Sequence, residues 1–279
     1  MKQHTLKDAC LFTGHGLHTG RPVTLQLLPA SEGHGIVFQR TDLRGEPRVP
    51  ALVQYVRRTR RSTSLAAEGV KILTPEHLLS SLSSLGVDNA LVRLDAPEIP
   101  ILDGSARPFA EAVRDVGLEA QEAERRVLVV EKAFVHEDPR SGSRISFEPG
   151  DGFEVEVTID YPSKVIGRQT VRYDAGTDYV QDIAPCRTFC FRKEVTWLRL
   201  LGLIRGGSLD NALVVDEPRG YVGDPDLFFE NEPARHKLLD LLGDLSLAGA
   251  PLRGKVVAYK PGHRVNTQAL RQFLTAYTR

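Results

Sequence analysis

Two leucine-backed segments, far apart in the chain, each open on a histidine. This repeat constrains the fold more than any other feature. Glu76-His77-Leu78-Leu79-Ser80-Ser81-Leu82 resembles Arg235-His236-Lys237-Leu238-Leu239-Asp240-Leu241. Each reads as a helix followed by a strand, a glycine-containing turn and a second helix. The interval from His77 to Gly104 equals that from His236 to His263. The pattern suggests a duplicated unit, with one helix from each half meeting at a shared site. Chance likeness between two amphipathic helices is the alternative.

Alternation and turn residues predict strands at Ala9–Phe12, Val23–Leu28, Gly35–Gln39, Ala51–Val56 and Ala90–Leu94. Thr74 as N-cap and Pro75 at the first position start the first histidine helix, and Gly86 ends it. A second helix covers Ala106–Val116. Glu119–Arg126 is polar and charged, so the domain boundary is placed there, giving units 1–125 and 126–279. Strands follow at Val127–Val130, Ser143–Phe147, Phe153–Asp160, Ala212–Val215 and Lys255–Tyr259. Helices follow at Lys193–Leu201, Pro233–Leu247 and Thr267–Tyr277.

The 36 basic residues equal the 36 acidic ones, which removes any bulk field for nucleic acid or an anionic membrane. The run Arg57, Arg58, Arg60, Arg61 reads as a solvated loop. Three cysteines, Cys10, Cys186 and Cys190, are too few and too irregularly spaced for a disulfide framework or a structural zinc site. No signal-like or membrane-spanning apolar run is present, so a cytoplasmic protein is expected.

On the second histidine helix, Asp240 falls about 40° and Asp244 about 80° from His236, while the leucines take the opposite face. A histidine and an aspartate one turn apart can reach one ion. A solvated face with a local ion pair is the plainer reading. The first helix opposes its leucines with Glu76, His77 and four serines, which reads as a closely packed surface; a buried histidine is the alternative. Together, His77, His236 and Asp240 form a two-imidazole, one-carboxylate set of the catalytic zinc type. Glu76 then lies beside the ion as a general base. Asp244, a turn further on, is better placed to orient a histidine, and His263 after Gly262 is the candidate. His263 reads as a cation or general acid, or else as a helix-cap residue. Thr188 could donate to a developing oxyanion, or simply begin a helix. Gly207, in Arg205-Gly206-Gly207-Ser208, could touch phosphate, although a bare Gly-Gly is a weak signal. Gly14 to Gly20 holds His15 and His18; a tight glycine turn is the default there, a second metal site the alternative.

These residues resemble the UDP-3-O-acyl-N-acetylglucosamine deacetylase (LpxC) family over nearly the whole chain. The pieces are Gly16-Leu17-His18-Thr19-Gly20, Thr74-Pro75-Glu76-His77-Leu78, Pro97-Glu98-Ile99-Pro100-Ile101-Leu102-Asp103-Gly104-Ser105, Arg187-Thr188-Phe189, Arg205-Gly206-Gly207-Ser208, Arg235-His236-Lys237-Leu238-Leu239-Asp240 with Gly243-Asp244, and Gly262-His263-Arg264-Val265-Asn266. The resemblance implies an α+β fold of two duplicated domains, each a small mixed sheet packed on helices, with the site between them. It implies zinc on His77, His236 and Asp240, with iron(II) chemically compatible. It also implies Glu76 as base, His263 as cation supported by Asp244, and Thr188 on the carbonyl oxygen. Phe189 and Lys237 would lie in the substrate site. An insert around 161–171 would wall an acyl passage. Cys186 and Cys190 depart from the family pattern and could add a reactive thiol.

The implied activity is removal of the N-acetyl group from an acylated UDP-glucosamine in lipid A biosynthesis. Expected partners are that substrate, no nucleic acid and at most peripheral membrane contact, with a monomer sufficient. A zinc hydrolase for another amide is disfavoured because no His-Glu-x-x-His helix occurs. A non-catalytic nucleotide-sugar binder is the rival from outside enzymology, and metal content discriminates it.

Overall fold

The structure is a computed structural model describing residues 1–277. It contains the same sheet twice. In the first half the spatial order is Cys10–His15, Pro22–Pro29, Ala90–Leu94, Ile36–Arg40, Arg48–Pro50. In the second it is Phe134–Asp138, Ser143–Glu148, Leu252–Tyr259, Phe153–Asp160, Arg168–Tyr173, with Leu128–Val129 added beside Leu252–Tyr259. In each sheet the third strand pairs parallel with the fourth and every other neighbour in that order is antiparallel. Helices α1 (Glu76–Ser84) and α2 (Arg107–Val116) flank the third strand of the first sheet in sequence. After α3 (Arg192–Leu200), helices α4 (Glu232–Ser246) and α5 (His263–Tyr277) flank its counterpart in the second. Matching topology and strand sense favour duplication over chance. The fold is α+β, built from two duplicated units.

Each unit carries a small three-stranded sheet between its edge strand and its histidine helix. The first is Val56–Arg58, Ser64–Ala67 and Val70–Leu73. The second is Phe189–Phe191, Leu213–Asp216 and Gly220–Tyr221, with α3 inside it. Residues 161–167 form a hairpin connection and Arg168–Val171 belong to the edge strand. The additional elements of the second unit therefore lie downstream of 161–171, where the insert was expected.

Several local expectations shift for identifiable reasons. Ala51–Val56 is not one strand. Pro50 ends Arg48–Pro50, a single 3-10 turn covers Val53–Tyr55, and the Val53 N–H donates to Leu247. Most of Glu119–Arg126, where the domain boundary is placed, is strand. Leu118–Glu124 pairs with Lys2–Leu6 as a two-stranded ribbon, which tolerates polar side chains on both faces. Thr74 does not cap α1. It has φ +57° and its hydroxyl donates to Glu98 (3.0 Å), leaving Pro75 at the cap. The last helix begins at His263 rather than Thr267, and Asn266 accepts from the Gly262 N–H (3.0 Å).

Helices α1 and α4 pack directly on each other, and their leucines (Leu78, Leu79 and Leu82; Leu238, Leu239, Leu241, Leu242 and Leu245) are buried in one continuous core. Each such side chain contributes roughly 1.5–3 kcal/mol. Gly243 permits the approach. A Cβ there would lie 2.2 Å from the Glu76 carbonyl oxygen and 2.9 Å from its carbonyl carbon. Backbone cannot yield as a side chain tip can. Gly243→Ala is therefore expected to cost about 1–3 kcal/mol, with a lower melting temperature and weaker metal retention because α4 moves off Glu76 and His77. Wild-type melting and metal content in this variant would contradict a close helix contact.

Candidate active site

The α1–α4 contact places the first turn of α1 against the middle of α4, and the start of α5 closes over both. His77, His236 and Asp240 converge there, each offering one ligand atom, and these atoms all lie within 4.8 Å of one another. His77 Nε2 is 3.7 Å and His236 Nε2 3.5 Å from Asp240 Oδ1. The two imidazoles stand nearly perpendicular, at 88°. His236 Nδ1 lies 3.0 Å from the Cys186 carbonyl oxygen, so Nδ1 carries the proton and Nε2 faces Asp240 with its lone pair.

His263 completes a second constellation. Its Nδ1 is 2.9 Å from Asp244 Oδ2, and its Nε2 is 3.6 Å from Glu76 Oε1 and 3.8 Å from Asp240 Oδ2. Asp244 also accepts from the Thr63 hydroxyl (2.5 Å) and from Asn266 Nδ2 (2.9 Å). The Thr63 backbone N–H donates to Glu76 Oε2 (3.3 Å). Lys237 Nζ reaches Asp240 Oδ2 at 2.7 Å.

All six groups, Glu76, His77, His236, Asp240, Asp244 and His263, are buried. Burial pushes the Glu76 carboxyl up to about 8, with Asp240 and Asp244 adding to the rise and His263 opposing it. Burial drives His77 down to about 3, helped by neighbouring His236, and lowers His236 likewise. Burial works against a charge on Asp240, but Lys237 and the imidazoles hold it well below the usual carboxylate range. Burial also opposes a charge on His263; Asp244, Glu76 and Asp240 outweigh it and raise the ring to about 9. Two neutral imidazoles beside an ionised carboxylate are the protonation states a divalent cation requires. The donor set fits zinc in type and number.

Beside this group lies a cavity of about 450 Å³ with apolar walls from Leu17, Val195, Leu198, Ile204, Val214 and Val222. Thr188, Phe189 and Gly207 also line it. Phe189 connects it to the polar centre, its ring centroid 6.3 Å from that of His236 and 5.5 Å from Lys237 Nζ. Tyr161 packs edge-on against Phe189 from outside the cavity wall. Cys190 lines the cavity and Cys186 is fully buried. Burial pushes both thiols up, so they stay protonated and are not reactive thiolates.

Gly14 and His15 end the strand Cys10–His15, and the turn that follows is held by buried Glu98, which accepts from the N–H groups of His18 (2.8 Å) and Thr19 (2.7 Å). A Cβ on Gly16 would stand 2.3 Å from Glu98 Oε2. Among the described residues no metal-capable group includes His15 or His18. Sequence reasoning passed over Thr63 and the Cys186 carbonyl. Neither has a side-chain signature, since each acts through a position that only the fold creates.

A duplicated α+β chain with two histidines and an aspartate gathered between its halves defines a class of candidate metal-dependent hydrolases. Comparison with known proteins resolves the class. The family described as LpxC, UDP-3-O-acyl N-acetylglycosamine deacetylase, matches residues 3–275, and the chain belongs to it. It is 44% identical over 275 residues to the UDP-3-O-acyl-N-acetylglucosamine deacetylase of Myxococcus xanthus, covering 98% of this chain and 86% of that one. It is 42% identical over 278 residues to the enzyme of the same description from Haemophilus influenzae, covering 98% and 90%. It is also 42% identical over 293 residues to the bifunctional enzyme LpxC/FabZ of Porphyromonas gingivalis, where it spans 97% of its own length but 63% of the relative.

Proposed function

We propose that this chain hydrolyses the N-acetyl amide of a UDP-glucosamine bearing a 3-O-acyl chain, with zinc held by His77, His236 and Asp240. The observation that supports this most is the pair of constellations sharing Asp240: a donor set with two neutral imidazoles, and a Glu76–His263 pair 3.6 Å apart beside it. When bound, the ion supplies Lewis-acid polarisation of the amide carbonyl and a more acidic water. A nearby dication also favours the ionised form of Glu76.

Glu76 takes the proton of the attacking water. The Thr188 hydroxyl and the His263 Nε2–H donate to the oxyanion that develops on the carbonyl oxygen. Asp244 holds His263 charged and oriented, and is itself held by Thr63 and Asn266. The Glu76–His263 pair returns a proton to the leaving amine. Acetate and a free 2-amino sugar result. Lys237 attends the polar head of the substrate, Phe189 packs on the sugar, and the cavity past Thr188 and Gly207 receives the acyl chain. Every group comes from one chain, so a monomer suffices, and no helix among the described residues is long and apolar enough to cross a membrane.

The test is metal content of the purified chain together with acetate release from acylated and unacylated UDP-N-acetylglucosamine. One zinc per chain and turnover at least tenfold better with the acylated sugar are expected, since burying a few methylenes at ~0.8 kcal/mol each exceeds 1.4 kcal/mol. Zinc-loaded protein that releases no acetate from either sugar would remove the deacetylase reading.

A further inference from the structure

Helix α3 has two apolar faces. Val195 and Leu198 point into the cavity, whereas Trp197, Leu200 and Leu201 are 60%, 75% and 39% exposed. Their spacing puts all three on one outward stripe. Trp197 is the only tryptophan in the chain. Large apolar side chains grouped on a solvent face mark a surface that something covers.

Next to the stripe, a cleft of about 640 Å³ runs from Leu201 and Leu203 at the end of α3 to the loop that follows Val56–Arg58. Arg21, Arg58, Arg60 and Arg205 line it. Among the described residues none of these four guanidiniums has a hydrogen-bond or ion-pair partner. The one acid on α3, Glu194, is taken up by Arg61 at 2.5 Å. Arg58 and Arg60 are exposed, as a solvated loop requires, and they stand beside an apolar stripe with no ion-pair partner among the described residues, although the chain as a whole carries no net charge.

We propose that this face docks on an anionic phospholipid bilayer, with Trp197, Leu200 and Leu201 entering the interface and the arginine cleft taking lipid phosphates. Tryptophan and leucine on one side with arginines at the rim is the composition of an interfacial helix. Guanidinium forks match phosphate oxygens in pairs. An acidic protein partner would answer the arginines, but charge alone gives the exposed Trp197, Leu200 and Leu201 nothing apolar to bury against. Docking in this way lays the outer face of α3 on lipid while its inner face walls the acyl cavity, so a lipid-like substrate travels a short path from membrane to site. Only that last link rests on the deacetylase reading. Lipid binding is measured without substrate, so the two can fail separately.

The metal-loaded full chain is titrated with vesicles of phosphatidylcholine alone, and of phosphatidylcholine with about one third phosphatidylglycerol, at low and high salt. The expected result is a blue shift of the Trp197 emission and co-sedimentation with the anionic vesicles only, both reduced by salt. Leu200→Ser and the double variant Arg58→Gln/Arg60→Gln should each weaken partitioning by roughly tenfold. These side chains are exposed, so unaltered circular dichroism melts are expected to accompany the loss. Unchanged emission with anionic vesicles, or partitioning that survives both sets of substitutions, overturns the proposal. A lipid-independent, concentration-dependent blue shift also overturns it and assigns the face to a second copy of the chain.

Discussion

Glu76→Ala is expected to keep one zinc per chain and to lower kcat by about 10²–10⁴, the usual contribution of a positioned base. The proposed ligands His77, His236 and Asp240 keep their own contacts in this variant, so metal analysis should match the wild type. The pH profile should change in a specific direction. His263 is raised to about 9 against the effect of burial by Asp244, Glu76 and Asp240. Removing Glu76 takes away one of the charges that favours its protonated form. The alkaline limb of kcat/KM, where His263 loses its proton, should therefore move to lower pH, and the acid limb set by Glu76 should vanish. Retained turnover with an unmoved profile would take Glu76 out of the chemistry.

His236→Ala should do the opposite to the metal. The substitution deletes one of two imidazoles and leaves the Cys186 carbonyl without its donor at 3.0 Å. Lys237, 2.7 Å from Asp240 Oδ2, then remains as the main partner of the carboxylate and competes with any cation for it. Zinc content after gel filtration should fall well below one per chain. Turnover should fall by at least ~10³, because both the Lewis acid and the orientation of the water are lost. Removing a buried ring at this position also leaves a cavity, at roughly 2–5 kcal/mol. Melting should therefore be compared with a chelated wild type, so that loss of ligand binding and loss of packing are separated. A His236→Ala protein that holds a full equivalent of zinc would refute the proposed ligand set.

The sequence announces the two histidine helices because their leucines recur at helical spacing and their polar faces are short of bulky charge. It announces the central strands for the same reason: Phe153–Asp160 alternates buried and half-exposed side chains along its length. Edge elements are nearly silent. Phe134–Asp138 and Arg168–Tyr173 carry His, Glu, Asp, Arg and Gln in strand positions, and pairing to one neighbour holds them there. The polar ribbon Leu118–Glu124 is silent for the same reason, its charged side chains reading only as a domain boundary. At the site, side chains that carry chemistry are legible by type. The groups that orient them are not. Cys186 contributes a carbonyl oxygen, Thr63 contributes both its N–H and its hydroxyl, and Gly243 contributes the absence of a side chain. None of these functions depends on a residue pattern that can be read before the chain is folded.

The paired sheets bear on where such a centre could have come from. His77 and His236 sit at equivalent places in matching units, on helices that meet face to face. A single unit able to pair with its own copy about a twofold axis would already bring two such rings together. In one linked chain the halves differ: the first supplies Glu76 and a serine face, and the second supplies Asp240, Asp244 and His263. Covalent linkage thus lets the two halves of one centre differ in sequence, so that base, cation and metal donors need not be repeated in both.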